Sequence, residues 1–126
     1  MGNDELVYTC ARGQNRVQVF DKQGTLIRVI PIDPPEYLNA TLRADDIELS
    51  RDADQRWLFV VDLGSNRVWI LKRTTGEIVG SIGGSGHMAG EFTFPHTIVM
   101  DSHGDLYIAE TIGGRRHQKF RRQIAN

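Results

Sequence analysis

The sequence predicts an all-β repeat protein built from units of about fifty residues, each a small antiparallel sheet. Three observations carry that prediction. Short apolar runs alternate with period two, and little of the chain shows helical spacing. Gly-containing turns separate the runs, as hairpins require. Three stretches also align with one another: LVYTCARGQNRVQVF at 6–20, LFVVDLGSNRVWIL at 58–71 and LYIAETIGGRRHQKF at 106–120. Asn15-Arg16-Val17 and Asn66-Arg67-Val68 stand 51 residues apart, Asp62 and Glu110 48, and Arg67 and Arg116 49. A spacing near fifty fits propeller blades and solenoid units alike.

With the strands of a full unit labelled A to D in chain order, unit one (5–30) has B at 6–11, C at 15–20 and D at 25–30, and lacks A. Its last strand follows the Gly turn of DKQGTLIRVI. Unit two (45–82) is whole, with A at 45–50, B at 57–62, C at 66–71 and D at 77–82. Unit three (96–122) has A at 96–101, B at 106–110 and C at 116–121, and lacks D. The residues 1–126 thus read as one partial domain. Long connections join the units. The first, 31–44, holds Pro31, Pro34 and Pro35; the second, 83–95, holds Gly83, Gly84, Gly86 and Gly90 and reads as a flexible link. GGSGHMAG has neither the Gly-Lys-Ser/Thr ending nor the strand-to-helix setting of a phosphate loop. Asn39-Ala40-Thr41 matches a glycosylation sequon, a pattern short enough to arise by chance.

Composition narrows the function classes. At 25% charged residues and a net charge of −1, no global field draws the chain to nucleic acid or to a membrane. No apolar run reaches membrane-spanning length. MGNDELVYT contains no basic stretch followed by an apolar one, so no signal peptide is expected there, and the compartment stays open. The single Cys10 excludes an intrachain disulfide and reads as a small hydrophobe on a strand. Arg115, Arg116, Lys119, Arg121 and Arg122 form the one basic cluster. Alternation splits their charge between two faces and only Phe120 offers a stacking surface, so a solvated terminal strand outweighs an RNA patch.

FPHTIVMDSHGDLYIAE followed by GGRRHQKF, with NRVQVFDKQG and NRVWILKRTTG elsewhere, resembles the NHL-repeat class of six-bladed β-propellers. The closing GGRRHQKFRR is similar to the last blade of bacterial members related to peptidylglycine α-amidating lyase. The fold class implied is an NHL-like propeller fragment of about two and a half four-stranded blades, an incomplete ring. In such a propeller strand A lines the central channel, and the D–A and B–C connections emerge on one rim. The family binds its ligands on that rim. This groups 31–44, 83–95, 11–15, 62–66 and 110–115, with His96, Asp45 and Asp46 at the channel mouth and Arg43 and Arg115 on the rim.

In the amidating lyases a Pro-His at the start of strand A supplies a zinc ligand, and Pro95-His96 matches it. The resemblance therefore implies zinc, with calcium as the other candidate ion. A catalytic zinc takes about three protein ligands. Unit two has Asp45 at the matching place and unit one has none, so one chain offers a single His and one carboxylate. The heavier reading of His96 is a hydrogen-bonded channel histidine. His87 and His103, in turns on opposite rims, read as solvent-facing. The recurring pairs Asp62 with Arg67 and Glu110 with Arg116 admit substrate contact, but recurrence favours a carboxylate bracing each B–C turn. Where units one and two carry Val17/Val19 and Val68/Ile70, unit three carries His117/Lys119, so that face is expected to be exposed or to meet a polar neighbour.

Ten strands close no ring, and the open ends would expose blade faces and strand edges. Two remedies follow: the chain is a C-terminal piece of a longer propeller, or copies assemble to bury the open faces, most simply as a two-fold dimer completing six blades, which is the favoured expectation. The leading functional expectation is a non-catalytic propeller scaffold binding a protein or small molecule at the rim. The alternative is a metal-dependent lyase or hydrolase with a channel site at His96.

Overall fold

The computed structural model describes residues 1–11, 13–34 and 43–123, which leaves the sequon and most of the Pro-rich connection outside the described residues. Ten strands follow in chain order: β1 (Val7–Cys10), β2 (Arg16–Phe20), β3 (Leu26–Pro31), β4 (Ala44–Leu49), β5 (Trp57–Asp62), β6 (Arg67–Lys72), β7 (Ile78–Gly83), β8 (Pro95–Met100), β9 (Leu106–Glu110) and β10 (His117–Phe120). They form three antiparallel sheets, ordered β1-β2-β3, β4-β5-β6-β7 and β10-β9-β8. No helix occurs among the described residues, and none of the three sheets closes on itself.

The period-two pattern explains how the sheets stack. In the middle sheet Leu58 pairs with Leu71 and Val60 with Trp69, which puts all four side chains on one face. They join Val17, Val19 and Ile30 of sheet one in a single buried cluster. The intervening residues, Phe59, Val61 and Val68, point the other way and pack with Ile98, Met100, Leu106 and Ile108 of sheet three. Sheet two is thus covered on both faces, which is why β5 reads as the continuous apolar run WLFVV. Each of these fully buried side chains contributes roughly 1.5–3 kcal/mol. His117 and Lys119, at the places of Val68 and Ile70, lie exposed on the outer face of sheet three.

Neighbouring sheets are also stitched along their innermost strands. The Asp46 carboxylate on β4 accepts the Thr97 hydroxyl (2.8 Å) and the Ile98 amide (2.9 Å) of β8. Two residues on, Glu48 accepts the Met100 amide at 3.0 Å. Period two places both acids on the side of β4 that faces β8, so they satisfy amides on its free edge.

The Gly-rich connection, expected to be flexible, has a definite fold. Phe92 is fully buried in the second core cluster, 5.6 Å from the Phe120 ring centroid. Its amide donates to the Gly84 carbonyl, and the Gly86 amide returns a bond to the Phe92 carbonyl. Gly83, at φ 97°, is required there: a Cβ would lie 2.3 Å from the Phe92 ring. The Arg116 guanidinium binds the carbonyls of His87, Met88 and Glu91. On the opposite rim the buried Arg73 does similar service, donating to the carbonyls of Asp54 and Gln55 and to the Asp4 carboxylate.

Leu58→Ala removes a fully buried side chain from the seam between sheets one and two. The expected cost is about 2–5 kcal/mol, read from the urea midpoint followed by tryptophan fluorescence.

Candidate functional site

Among the described residues, strand ends that the sequence groups on one rim lie at one end of their sheets; 12 and 35–42 of that grouping lie outside the described residues. Register places Ala44, Asp62, Arg67 and Gly83 at one end of sheet two, and Pro95 and Glu110 at the corresponding end of sheet three. Hydrogen bonds tie the sheets together there. The Ala44 amide reaches the Gln14 carbonyl from sheet two to sheet one, while within sheet three the Thr111 amide closes on the Phe94 carbonyl. The Asn66 side chain accepts the Phe94 amide at 2.9 Å and donates to Ser85.

Two buried carboxylates hold this surface. Asp62 Oδ1 accepts the amides of Arg43 (2.8 Å), Gly64 (2.9 Å) and Ser65 (3.3 Å). Its Oδ2 accepts the Ser65 hydroxyl at 2.7 Å and the Trp69 indole N–H at 3.0 Å. Glu110 repeats the arrangement: Oε1 takes the Thr93 amide at 2.7 Å, and Oε2 takes Arg116 Nε at 2.6 Å and Gln118 Nε2 at 3.2 Å. Both acids clamp the connection entering the innermost strand. Glutamate, longer by one methylene, reaches a residue further up the chain. Trp69 and Gln118 are equivalent donors, 49 residues apart on the third strand of their sheets. The Arg67 guanidinium donates to Ser81 Oγ at 3.2 Å and to the Gly83 carbonyl at 3.4 Å.

His96 and Asp45 occupy matching positions. Each is the extra residue of a β-bulge at the start of its innermost strand, between Pro95 and Thr97 or between Ala44 and Asp46. Both are half-buried, and β4 packs beside β8. The Asp45 carbonyl receives the Cys10 thiol at 3.1 Å. Burial, then the nearby charges of Asp46 and Asp45, push the Cys10 pKa up, so the thiol is a poor nucleophile. Asp46 is half-buried, with its carboxylate engaged on β8 as described. Arg43 is half-buried, its backbone fixed by Asp62 and by the Leu63 amide. Arg115 is exposed at φ 50° and caps its own turn through the Ile112 carbonyl. His87 and His103 are exposed. Among the described residues no three His, Cys, Asp or Glu side chains converge as a metal site would require.

Comparison with known proteins addresses the fold. No family model matches the sequence, and no curated protein matches it. Among solved structures, hydrazine synthase from Kuenenia stuttgartiensis superposes with a TM-score of 0.63 at 12% identity, over 84% of this chain and 26% of that one. Selenomethionine-substituted virginiamycin B lyase from Staphylococcus aureus gives 0.57 at 17% identity, over 98% of this chain and 40% of that one. Both are propeller-type folds. The fold here is an incomplete β-propeller. The chain spans less than half the length of either neighbour, and identities this low speak for architecture alone.

Sequence reasoning missed the reach of Asp46 and Glu48 into the next sheet. The signal was the acidic alternation Asp46-Ile47-Glu48 on a strand with an inward face, visible only once β4 and β8 are known to be neighbours.

Burial raises the pKa of Glu110, but bonds from the Thr93 amide, Arg116 and Gln118 outweigh it and hold the carboxyl below its ordinary 4.5. Its folded-state pKa is depressed, so its contribution is complete above the unfolded value and is lost as pH falls through the folded one. Glu110→Gln should therefore cost about 1.5–3 kcal/mol at neutral pH. That difference should shrink below about pH 4.5, as measured by urea titrations across the acid range.

Proposed function

We propose that this chain is a non-catalytic NHL-type propeller scaffold that binds a protein or small molecule at the connection rim and closes its ring with a second copy. The supporting observation is the difference between its two free faces. Sheet two offers Asp46 and Glu48 to the free edge of the innermost strand beside it. At the same places sheet three has Thr97 and Val99, and valine accepts no hydrogen bond. A partner seated there needs no innermost strand to satisfy. Sheet one fits, since among the described residues it consists of three strands, β1 to β3, with no innermost strand beside them.

Shape and polarity agree. The outer face of sheet one carries exposed Ile27 and Val29. The outer face of sheet three has a hollow of about 240 Å³ lined by Thr97, Val99, Tyr107, Ala109 and His117. Pairing would bury both apolar patches, which a soluble protein rarely leaves open. Size-exclusion chromatography with light scattering at micromolar concentration should return twice the chain mass. Val29→Glu should return a folded monomer. A wild-type protein that is itself a folded monomer refutes ring closure by pairing.

A second reading, a metal-assisted lyase or hydrolase, draws on the shared bulge position of Asp45 and His96. A two-fold partner would double that set to two carboxylates and two histidines, enough for a zinc site. Elemental analysis of purified protein separates the readings. The scaffold predicts no stoichiometric zinc or calcium, whereas the enzyme predicts a bound ion that His96→Ala abolishes.

A further inference from the structure

A partly enclosed cleft lies on the rim away from His96, between sheets two and three, where the hairpin turns 50–56 and 101–105 come together. It holds about 280 Å³. Trp57 and Phe59 of β5, Met100 of β8, Leu106 of β9 and Phe120 of β10 form its apolar interior. At its mouth stand Arg51, Arg56, Arg121 and Arg122 with a single carboxylate, Asp52. That carboxylate is already committed, to the Ser50 hydroxyl and to the amide and Nε of Arg56.

The arginines are far from saturated. Arg51 makes only long contacts, 3.4 Å to Glu48 and 3.3 Å to the Met100 carbonyl. Arg56 uses Nε alone and lies 5.8 Å from the Trp57 ring centroid, a cation–π distance. The guanidiniums of Arg121 and Arg122 donate to no described residue; only the backbone amide of Arg122 is bonded, to Asp105. Lys119 also engages Asp105, at 3.1 Å, so the neighbouring acid is shared. A rim of planar donors with unused N–H groups above a partly aromatic, apolar floor suits an oxyanion carried on an apolar body.

We propose that this cleft binds a small amphipathic anion: an aromatic or alicyclic ring system bearing a carboxylate, sulfonate or phosphate. The rings lie against Trp57, Phe59 and Phe120, and the charged group sits between Arg121, Arg122 and Arg51. The site is contained in one chain, so it does not rest on ring closure. Its mouth lies between the 50–56 and 101–105 turns, at the end of the sheets opposite the connection rim.

Naphthalene-2-sulfonate tests this against its neutral counterpart naphthalene-2-methanol, both titrated calorimetrically into the full chain. The sulfonate should bind one site per chain at least tenfold more tightly. In Arg121→Gln/Arg122→Gln that preference should fall to within about threefold, with binding of naphthalene-2-methanol unchanged, as expected when two charge-assisted bonds are lost. The Val29→Glu protein should bind the sulfonate as wild type does. Equal affinity for the two probes, or an unaltered preference in the double variant, overturns the proposal. Loss of sulfonate binding in Val29→Glu also overturns it, by placing the site between copies.

Discussion

A buried carboxylate at the end of the second strand is the constraint on which the rest of this structure leans. Asp62 and Glu110 each gather a turn, a connection and a third-strand side chain onto two oxygens. Such an acid is costly to bury, and here the cost is offset because each carboxylate accepts several donors at once. The reward is positional. Residues 43 and 93 are pinned, so β4 and β8 begin at fixed points, and their bulges set Asp45 and His96 at one level around the axis. Sheet one has Ala11 in place of the acid, and among the described residues its turn is held by backbone bonds of Ala11 and Gln14 and by the Asn15 side chain on the Ile32 carbonyl.

The second organising feature is lateral. Side chains in the middle sheet alternate toward two cores, and the inner-strand acids add polar bonds where an apolar seam could not satisfy free amides. Hydrophobic contact gives adhesion between sheets without register; Asp46 and Glu48 supply the register. The connection rim is consequently a braced platform. Its Gly-rich stretch owes its shape to Arg116, Gln118 and the buried Phe92.

Much of this was legible in the chain. Period-two alternation, Gly turns and the aligned Asn-Arg-Val stretches locate all ten strands to within about two residues. Recurrence of Asp62 and Glu110 pointed to a structural brace, because a single ligand has no need of the same acid in every sheet. What the chain concealed depends on contacts between sheets. The bonds that Asp46 accepts from the next sheet become visible only once β8 is placed beside it. Arg73 gives no local sign that it will join the second sheet to Asp4, 69 residues earlier. The cleft under Arg121 and Arg122 is likewise invisible in a tail whose alternation suggests only solvent. It arises because Phe120 turns inward while the following arginines remain at the surface.

The unlike outer faces carry a consequence for assembly. Sheet one presents exposed Ile27 and Val29 and sheet three a shallow hollow, so on the proposed pairing contacts between copies through these unlike faces would run head to tail. Head-to-tail contacts finish as a closed particle only when the rotation per subunit divides a full turn; otherwise they propagate as a fibre. On the proposed pairing, the rotation from each copy to the next would therefore decide between a finite ring and a filament.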